Sequence, residues 1–303
     1  MPTELEKAYQ YCEAVTKLHA KSFYFAARFL PRHKQRAVFP IYAFCRHVDD
    51  EIDESGEGNE AKAVDAVEKW RIELEKLYLD EEDREIDDDV IASPTTKDQQ
   101  KVLLAWQDLL KTYKIPLKFP FELIAGVMMD TSVKRYESFE DLYVYCYCVA
   151  STVGLMSSEI LGYSDGIALK YAEKMGVGMQ LTNILRDVKE DAARGRIYLP
   201  QEDLRSFRVD EEQILANEFD KNFAKMMKFQ VERAREFYAE GEKGIALLEE
   251  DSRFTVLLAS RIYAKILDEI EKQNYDVFLR RAHTSKIQKI FSMPKIWLEA
   301  RKK

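Results

Sequence analysis

The sequence contains few of the residues that build tight turns. Its 303 residues include only 11 glycines and 8 prolines, each about half of the usual share of ~7% and ~5%. Because a protein with many strands needs such residues at its turns, the composition predicts an all-helical chain. Hydrophobic residues make up 46% of the sequence, which is enough to bury a large core. No shift in composition divides the chain, so we expect one domain over residues 1–303.

Other features are also scarce, and each scarcity excludes a class of function. The four cysteines show neither a CxxC pair nor zinc-finger spacing, which favours reduced thiols. There are 46 basic and 54 acidic residues, for a net charge of −8, and this balance disfavours nucleic acid as a partner. No GxGxxG motif follows a strand pattern, so no nucleotide cofactor is expected.

Long apolar runs are missing as well. The longest apolar stretch covers residues 143–156 and contains a serine and a threonine, whereas a membrane span needs ~20 apolar residues. The first residues are charged where a signal peptide would be apolar. We therefore expect a cytoplasmic location, with residues 143–156 in a buried helix.

Apolar residues recur at helical spacing along most of the chain. The predicted helices cover residues 3–28, 34–54, 59–79, 98–113, 118–131, 138–162, 165–191, 210–248, 252–273 and 283–300. Two polar segments interrupt this pattern, the acidic run 80–89 and the glycine- and proline-containing segment 194–200. Like charges at the density of the first segment repel each other, so we expect a solvated loop there.

One predicted helix carries a polar stripe among apolar neighbours. Its members are Tyr42, Arg46, Asp49, Asp50 and Asp53, which lie on one face at 100° per residue. Carboxylates four residues apart repel each other, and more strongly when they are desolvated, so we expect a cation between them. Oxygen ligands without histidine or cysteine suit Mg²⁺, with Mn²⁺ as a substitute.

A second helix repeats this arrangement over the same 11-residue span. Its members are Gln180, Asn183, Asp187 and Asp191, again with apolar residues between them. A single DxxxD pair is common on exposed helices, but two such pairs on apolar helices form a specific pattern. This pattern predicts two facing acidic stripes that hold divalent cations against a diphosphate leaving group.

These motifs resemble those of the squalene/phytoene synthase family, whose members join two prenyl diphosphates head to head. The similarity runs nearly end to end, and the tail NYDVFLRRAH is most similar to phytoene synthases, with bacterial ones as the best match. One departure is Ser151, where relatives usually have glycine. The matching segments are His19–Phe23, Tyr42–Asp53, Arg135–Tyr136, Tyr145–Tyr147, Val153–Gly154, Gln180–Pro200, Tyr263, Asn274–Asp276 and Arg280.

The resemblance implies an all-α isoprenoid synthase bundle around a central cavity, and it implies roles for individual residues. The implied magnesium ligands are Asp49, Asp53, Asn183, Asp187 and Asp191. The implied diphosphate-binding residues are Lys21, Ser22, Tyr42, Arg46, Arg186 and Arg280. The residues implied to line the reacting centre are Tyr147, Gln180 and Tyr263. The expected prenyl-binding residues are Phe23, Phe25, Ala26, Ala27, Phe39 and Phe44. The catalytic set implied is Asp49, Asp53, Asp187, Asp191, Tyr42, Arg46 and Tyr147.

The implied reaction has two steps and no reductant. Loss of one diphosphate gives an allylic cation, which the second substrate attacks with loss of a proton to form a cyclopropylcarbinyl diphosphate. Loss of the second diphosphate, rearrangement and loss of a second proton then give a conjugated triene. Ala27 is small where the resemblance suggests an aromatic residue in C30 synthases, which favours C20 substrates and phytoene. A C30 synthase that uses farnesyl diphosphate is the nearest competing function.

Three more distant functions explain fewer of these residues. A nucleotide diphosphate hydrolase would need polar cavity walls, a dinuclear carboxylate oxidase would need Glu-x-x-His, and an assembly factor should have lost the aspartates. The tail, residues 285–303, mixes basic and apolar residues. It is either a last helix packed on the bundle or a segment that rests on an anionic membrane. The sequence predicts no oligomeric state.

Overall fold

The fold is built from helices that pack side by side around an apolar cavity. A computed structural model describes residues 2–53, 60–79 and 96–302. Within these ranges there is no strand, only two isolated bridges, so the all-helical prediction is confirmed. The helices are α1 Glu4–His19, α2 Lys21–Ala27, α3 Arg32–Asp53, α4 Glu60–Lys76, α5 Lys97–Leu110, α6 Lys118–Ser132, α7 Phe139–Cys146, α8 Thr152–Leu161, α9 Ala168–Ala193, α10 Gln201–Phe207, α11 Glu211–Leu215, α12 Lys221–Gly241, α13 Glu250–Lys272 and α14 Lys286–Ala300.

The element boundaries differ from the sequence pattern in three places. The predicted helix 3–28 is two helices, because Ala20 leaves the helical conformation at φ −118° and ψ 57°. The predicted helix 210–248 is α11, α12 and a 3-10 segment, Glu242–Leu247. The short helix α10 was not predicted. The acidic run 80–89 lies outside the described residues.

The predicted helix 138–162 is continuous but not uniform. A π-helical turn, Tyr147–Ser151, joins α7 to α8. The whole helix, Phe139–Leu161, has 23 residues and is long and apolar enough to cross a membrane by length and composition alone. Half of its most apolar window is buried inside the fold, as in the core helices of soluble proteins, so this is weak evidence for a membrane span.

Helix α9 lies at the centre of the fold and approaches its neighbours closely. A Cβ atom on Gly176 would lie only 2.5 Å from the Cα atom of Ser151, so this contact between α9 and the π turn needs glycine. On the other side of the contact, the Ser151 hydroxyl donates to the carbonyl oxygen of Glu173 at 2.7 Å. The serine that departs from the family pattern therefore ties the two helices together.

The tail forms a helix that packs on the bundle. Ile296 and Ala300 of α14 are 5% and 7% exposed, and Arg261 of α13 lies 3.7 Å from Glu299. Phe291, on the same helix, is 81% exposed. The packed-helix interpretation is thus confirmed for one face of α14, and contact with a membrane stays a prediction for the other.

Candidate active site

The acidic stripe of α3 carries its own counter-ion. The Arg46 guanidinium donates to Asp50 through Nε at 3.0 Å and approaches Asp49 through Nη1 at 3.4 Å. Its other terminal nitrogen makes a close ion pair with Asp50. The arginine therefore pairs with carboxylates of its own stripe. The contact of Arg46 with Asp49 is longer than its contacts with Asp50.

The acidic stripe of α9 is held by two arginines. Arg186 donates to both carboxylate oxygens of Asp187, at 2.7 and 2.5 Å. Arg281, from the segment before α14, donates to the same two oxygens at 2.7 and 2.9 Å. One turn earlier, the Asn183 amide donates to the Gln180 side chain at 3.1 Å. Asp187 is therefore fully paired by guanidinium groups.

The two stripes face each other, as the sequence predicts. Arg194, which caps the end of α9, donates to both carboxylate oxygens of Asp53 on α3 at 3.1 Å. Arg196 also lies 3.6 Å from Asp53. The end of the α9 stripe thus reaches the end of the α3 stripe through arginine contacts.

A sixth carboxylate, which the sequence pattern does not predict, lies between the stripes. Asp130 of α6 is only 7% exposed, and its two oxygens accept hydrogen bonds from Tyr145 at 3.0 Å and Tyr198 at 2.8 Å. The rings of these tyrosines stack, with centroids 5.1 Å apart. The Asp130 charge acts on Asp49 and on Asp191, so the carboxylate is close to both stripes.

Proton affinities differ across this cluster. Burial and the nearby Asp53 raise the pKa of Asp49 to about 7. Burial and Asp187 likewise raise the pKa of Asp191 to about 7. Burial also acts on Asp187, but hydrogen bonds from its two arginines hold its pKa below the ordinary value. Asp49 on the α3 stripe and Asp191 on the α9 stripe therefore have too little positive charge nearby to offset their own negative charge.

The donor set fits a hard divalent cation. Asn183 Oδ1 is buried and has no hydrogen-bond partner in the described part of the chain. Carboxylate and amide oxygens are the ligands that Mg²⁺ prefers. In the described ranges, no three acidic, histidine or cysteine side chains converge as a metal cluster. Arginine side chains pair with the carboxylate oxygens of Asp53 and Asp187.

An apolar cavity of about 180 Å³ extends away from the stripes. On α9 the lining residues run from Ala168 to Met179, which is one turn before Asn183. Phe23 of α2 also lines the cavity, and its ring stacks on Tyr42 of the α3 stripe, with centroids 5.9 Å apart. The end near Phe23 and Met179 is therefore the end close to the carboxylates. Many lining side chains are small, among them Ala26, Ala27, Ala150, Gly154, Ala172, Gly176, Gly241, Gly244 and Ala259.

The predicted prenyl-binding residues fall into two groups. Phe23, Ala26 and Ala27 line the cavity. The other three pack elsewhere, which corrects the sequence interpretation. Phe44 contacts Trp70 and Trp106, Phe39 stacks on Tyr24, and Phe25 contacts Phe29 edge to face. Phe39 and Phe44 are buried in the core, whereas Phe25 is half-buried.

Several residues predicted to bind diphosphate or line the reacting centre lie near the stripes. Tyr263 is close to Tyr42 and to Arg186, so it lies between the stripes. Lys21 is exposed and Ser22 half-buried at the start of α2. Their roles in substrate binding stay predictions.

For two of the predicted residues, a residue close in sequence contacts the acidic site in their place. The Tyr147 hydroxyl donates to Glu122 at 2.7 Å, whereas Tyr145 is the tyrosine bonded to Asp130. Arg280 is exposed, whereas Arg281 reaches Asp187. Tertiary packing decides which of two residues close in sequence points its side chain towards the acidic site. The roles of Tyr147 and Arg280 stay predictions.

Comparison with known proteins agrees with this geometry. The sequence model of squalene/phytoene synthase matches residues 16–288. A 15-cis-phytoene synthase from Synechocystis sp. is 38% identical over 98% of this chain and 86% of its own length. A second one, from Synechococcus elongatus, is 36% identical over 98% and 94%.

Solved structures show the same fold. A dehydrosqualene synthase in complex with a ligand superposes with a TM-score of 0.85, 29% identity and 99% coverage of both chains. A squalene synthase from Alicyclobacillus acidocaldarius gives a TM-score of 0.75 with 27% identity, covering 91% of this chain and 97% of its own. The chain has two facing acidic stripes at the mouth of an apolar cavity, and it is similar to these proteins over nearly its full length. It therefore belongs to the squalene/phytoene synthase family.

Proposed function

We propose that this protein condenses two molecules of geranylgeranyl diphosphate head to head to form phytoene, with release of diphosphate. The observation that carries the proposal is the pair of acidic stripes at one end of an apolar cavity. Such a site binds a diphosphate and a hydrocarbon chain at the same time. The relatives named phytoene synthase, at 38% and 36% identity over 98% of the chain, support the C20 substrate.

Enzymes of this family depend on a divalent metal, and the metal ligands of this chain are part of the proposal. Asp49, Asp53, Asn183, Asp187 and Asp191 would hold Mg²⁺ or Mn²⁺. When bound, the metal neutralises the negative charge that develops on the departing diphosphate.

The arginines of the site would bind the diphosphate group of the substrate. Arg46, Arg186 and Arg281 now pair with carboxylates, and guanidinium groups bind phosphate oxygens in the same two-pronged geometry. A bound diphosphate therefore offers these arginines a second set of anionic partners. This exchange would free the carboxylate oxygens for the metal and hold the leaving group at the mouth of the cavity.

The cavity walls serve the cationic intermediates. Apolar walls exclude water, which would otherwise capture an allylic cation. Tyr145 and Tyr198 are not among the residues that line this cavity; they donate to Asp130 beside the acidic stripes. The apolar walls thus favour a cationic reaction over hydrolysis.

Chain length separates this function from its nearest competitor. Ala27 is fully buried in the cavity wall, and its small side chain leaves room for additional methylene groups. The fold match to a dehydrosqualene synthase supports the second candidate, a C30 synthase that condenses two farnesyl diphosphates. The first candidate is favoured because the relatives named phytoene synthase are more similar in sequence.

The product assay tests this function directly. Purified protein with Mg²⁺ is incubated with C15 or C20 diphosphate, with and without NADPH, and hydrocarbons are identified by mass spectrometry. Phytoene from the C20 substrate alone is expected. Asp187→Asn should lower turnover at least a hundredfold, whereas the exposed Asp210→Asn serves as the control and should not change it. A C30 product would move the protein to the second candidate, and equal rates in both variants would refute the acidic site.

The cellular location follows from the substrates and from α14. We infer a cytoplasmic enzyme that contacts membranes peripherally, since substrate and product are lipids and Phe291 and Leu298 of α14 are exposed. Replacing both side chains by serine should reduce sedimentation with anionic vesicles. Unchanged sedimentation would refute the role of α14.

A further inference from the structure

A buried lysine, Lys34, lies behind the wall of the cavity at the end away from the acidic stripes. We propose that Lys34 and the groups it holds form an end stop that limits the prenyl chain to C20. This inference rests on the proposed function and deepens it, because it assigns a specificity-determining residue for substrate length. Lys34 touches no reacting atom and is therefore a positioning residue.

Lys34 is buried and fully engaged in hydrogen bonds. It is 4% exposed, and its ammonium group donates to the carbonyl oxygen of Leu161 at 2.8 Å and to Ser252 at 3.1 Å. It also donates to the carboxylates of Glu249 and Asp251, each at 2.6 Å. Lysine is rarely buried unless it is paired in this way. The cluster joins the start of α3, the end of α8 and the start of α13.

Two partners of Lys34 adjoin the cavity wall, and so does its own helix. Leu161, whose carbonyl oxygen Lys34 binds, also lines the cavity. Val38, another lining residue, is one turn after Lys34 on α3. Leu248 lines the cavity next to Glu249. A prenyl tail that pushed past these side chains would meet the buried ammonium group of Lys34, whose partners Glu249 and Asp251 are 60% and 42% exposed. Separating this buried charge from its partners is costly.

Helix α3 gives a scale for the distance between the acidic stripe and Lys34. Lys34 and Asp49 are 15 residues apart on this helix, which corresponds to about 22 Å at 1.5 Å per residue. Asp49 marks the diphosphate end, so this distance is available to a prenyl chain between the diphosphate and Lys34.

Prenyl chains of different lengths fill this distance differently. An extended chain advances about 1.2 Å per bond, so the main chain of a C20 prenyl group spans about 18 Å. A C15 chain spans about 13 Å and a C25 chain about 23 Å on the same scale. The C20 tail therefore ends beside Val38, just before Lys34. A C25 tail would reach into the cluster.

Binding to the wild-type protein tests the end stop without any substitution. The probes are unreactive thiolodiphosphates with C15, C20 and C25 chains, titrated in the presence of Mg²⁺. In an open tunnel each further buried methylene would tighten binding about fourfold. With an end stop, we expect affinity to rise from C15 to C20 and to fall at least tenfold from C20 to C25. Equal or tighter binding of the C25 probe would overturn the proposal.

Two variants should shift the length preference in opposite directions. Lys34→Met keeps the length of the side chain but removes its charge, and it should raise the C25:C20 ratio of kcat/KM at least tenfold. Val38→Phe fills the far end and should lower the C20:C15 ratio at least tenfold. Lys69→Met removes a half-buried lysine that pairs with Asp65 at 2.8 Å, far from the cavity lining, and it should leave both ratios unchanged.

These ratios separate positioning from a loss of stability. A destabilised enzyme loses rate with all chain lengths alike, so its ratios stay constant. If Lys34→Met does not fold, Val38→Phe and the wild-type titration still decide the question. Wild-type ratios in a folded Val38→Phe variant would overturn the end stop while phytoene formation stands. The expected binding series without any condensation product would instead refute the proposed function.

Discussion

Asp191 gives the sharpest test of the charge balance at the acidic site. Its carboxylate is close to Asp187 and Asp130, and the two arginines nearest to it lower its pKa less than burial and the other carboxylates raise it. In the absence of metal, the ionised form of Asp191 therefore destabilises the folded state. Replacing it with asparagine removes this charge and keeps the size of the side chain, so Asp191→Asn should stabilise the protein while it abolishes activity.

The expected magnitude follows from the pKa. A shift from 3.8 to about 7 corresponds to about 4 kcal/mol at 1.36 kcal/mol per unit. Asp191 is only partly buried, and solvent screening reduces this value to about 2 kcal/mol. For 303 residues, that gain raises Tm by about 3 °C.

The dependence on pH has a definite sign. The folded pKa of Asp191 lies above the unfolded one, so the folded state binds more protons between the two values and wild-type stability falls as pH rises from about 4 to about 7. The advantage of the Asp191→Asn variant should thus be complete above pH 7 and less than half as large at pH 5.

Urea unfolding in the presence of EDTA at pH 5 and pH 8 measures this advantage. Asp210→Asn, an exposed site, should show none at either pH. Added Mg²⁺ and diphosphate should then stabilise the wild type more than the Asp191→Asn variant. The reasoning is refuted if Asp191→Asn is no more stable than the wild type at pH 8, or if its gain in the free energy of unfolding is the same at both pH values.

Three further predictions concern neighbouring contacts. Arg281→Gln removes one of two guanidinium partners of Asp187, so calorimetry should show several-fold tighter binding of Mg²⁺ alone but weaker binding of inorganic diphosphate; unchanged values would contradict the exchange of partners. Ser151→Gly loses the hydrogen bond to Glu173 and should lower the free energy of unfolding by about 1–2 kcal/mol at unchanged turnover; a gain in stability would contradict this role. Asp130→Asn replaces a carboxylate acceptor with an amide and should lower kcat at least tenfold with little change in KM; a wild-type kcat would exclude it from the site.

The sequence predicted the acidic stripes because they follow a local rule. Asp49 and Asp53, like Asp187 and Asp191, are one helical turn apart, and apolar neighbours show that each helix is buried. The helical period alone then places the carboxylates on one face. The prediction that the two faces meet depended on finding a second stripe that matches the first. The contact between Arg194, at the end of α9, and Asp53 of α3 agrees with this prediction.

The residues that sequence reasoning missed depend on packing between distant segments. Asp130 is a single acidic residue near the end of an apolar helix, and its partners Tyr145 and Tyr198 lie 15 and 68 residues away in sequence. Nothing in the local pattern brings these groups together. The buried ammonium of Lys34 is similar, because it bonds to residues more than 120 positions later.

Aromatic residues were misleading for the same reason. Phe39 and Phe44 flank the α3 stripe in sequence, but the helix turns them towards Tyr24 and the tryptophans of the core. Small residues such as Ala27 turned out to shape the cavity. A cavity is defined by side chains that are short, and a sequence pattern of apolar residues does not distinguish such a wall from a packed core.

The π turn at Tyr147–Ser151 constrains how this helix can change during evolution. A π turn holds one residue more than the α-helical turn it replaces. The extra residue is taken up within the turn, so deleting one residue there would restore a regular helix and keep α7 and α8 in nearly the same rotational register. In a regular α-helical turn the same deletion would rotate one side of the helix about 100° relative to the other, and Tyr145 would turn away from Asp130. The π turn is therefore the place in this helix where a change in length by one residue disturbs the contact between Tyr145 and Asp130 least.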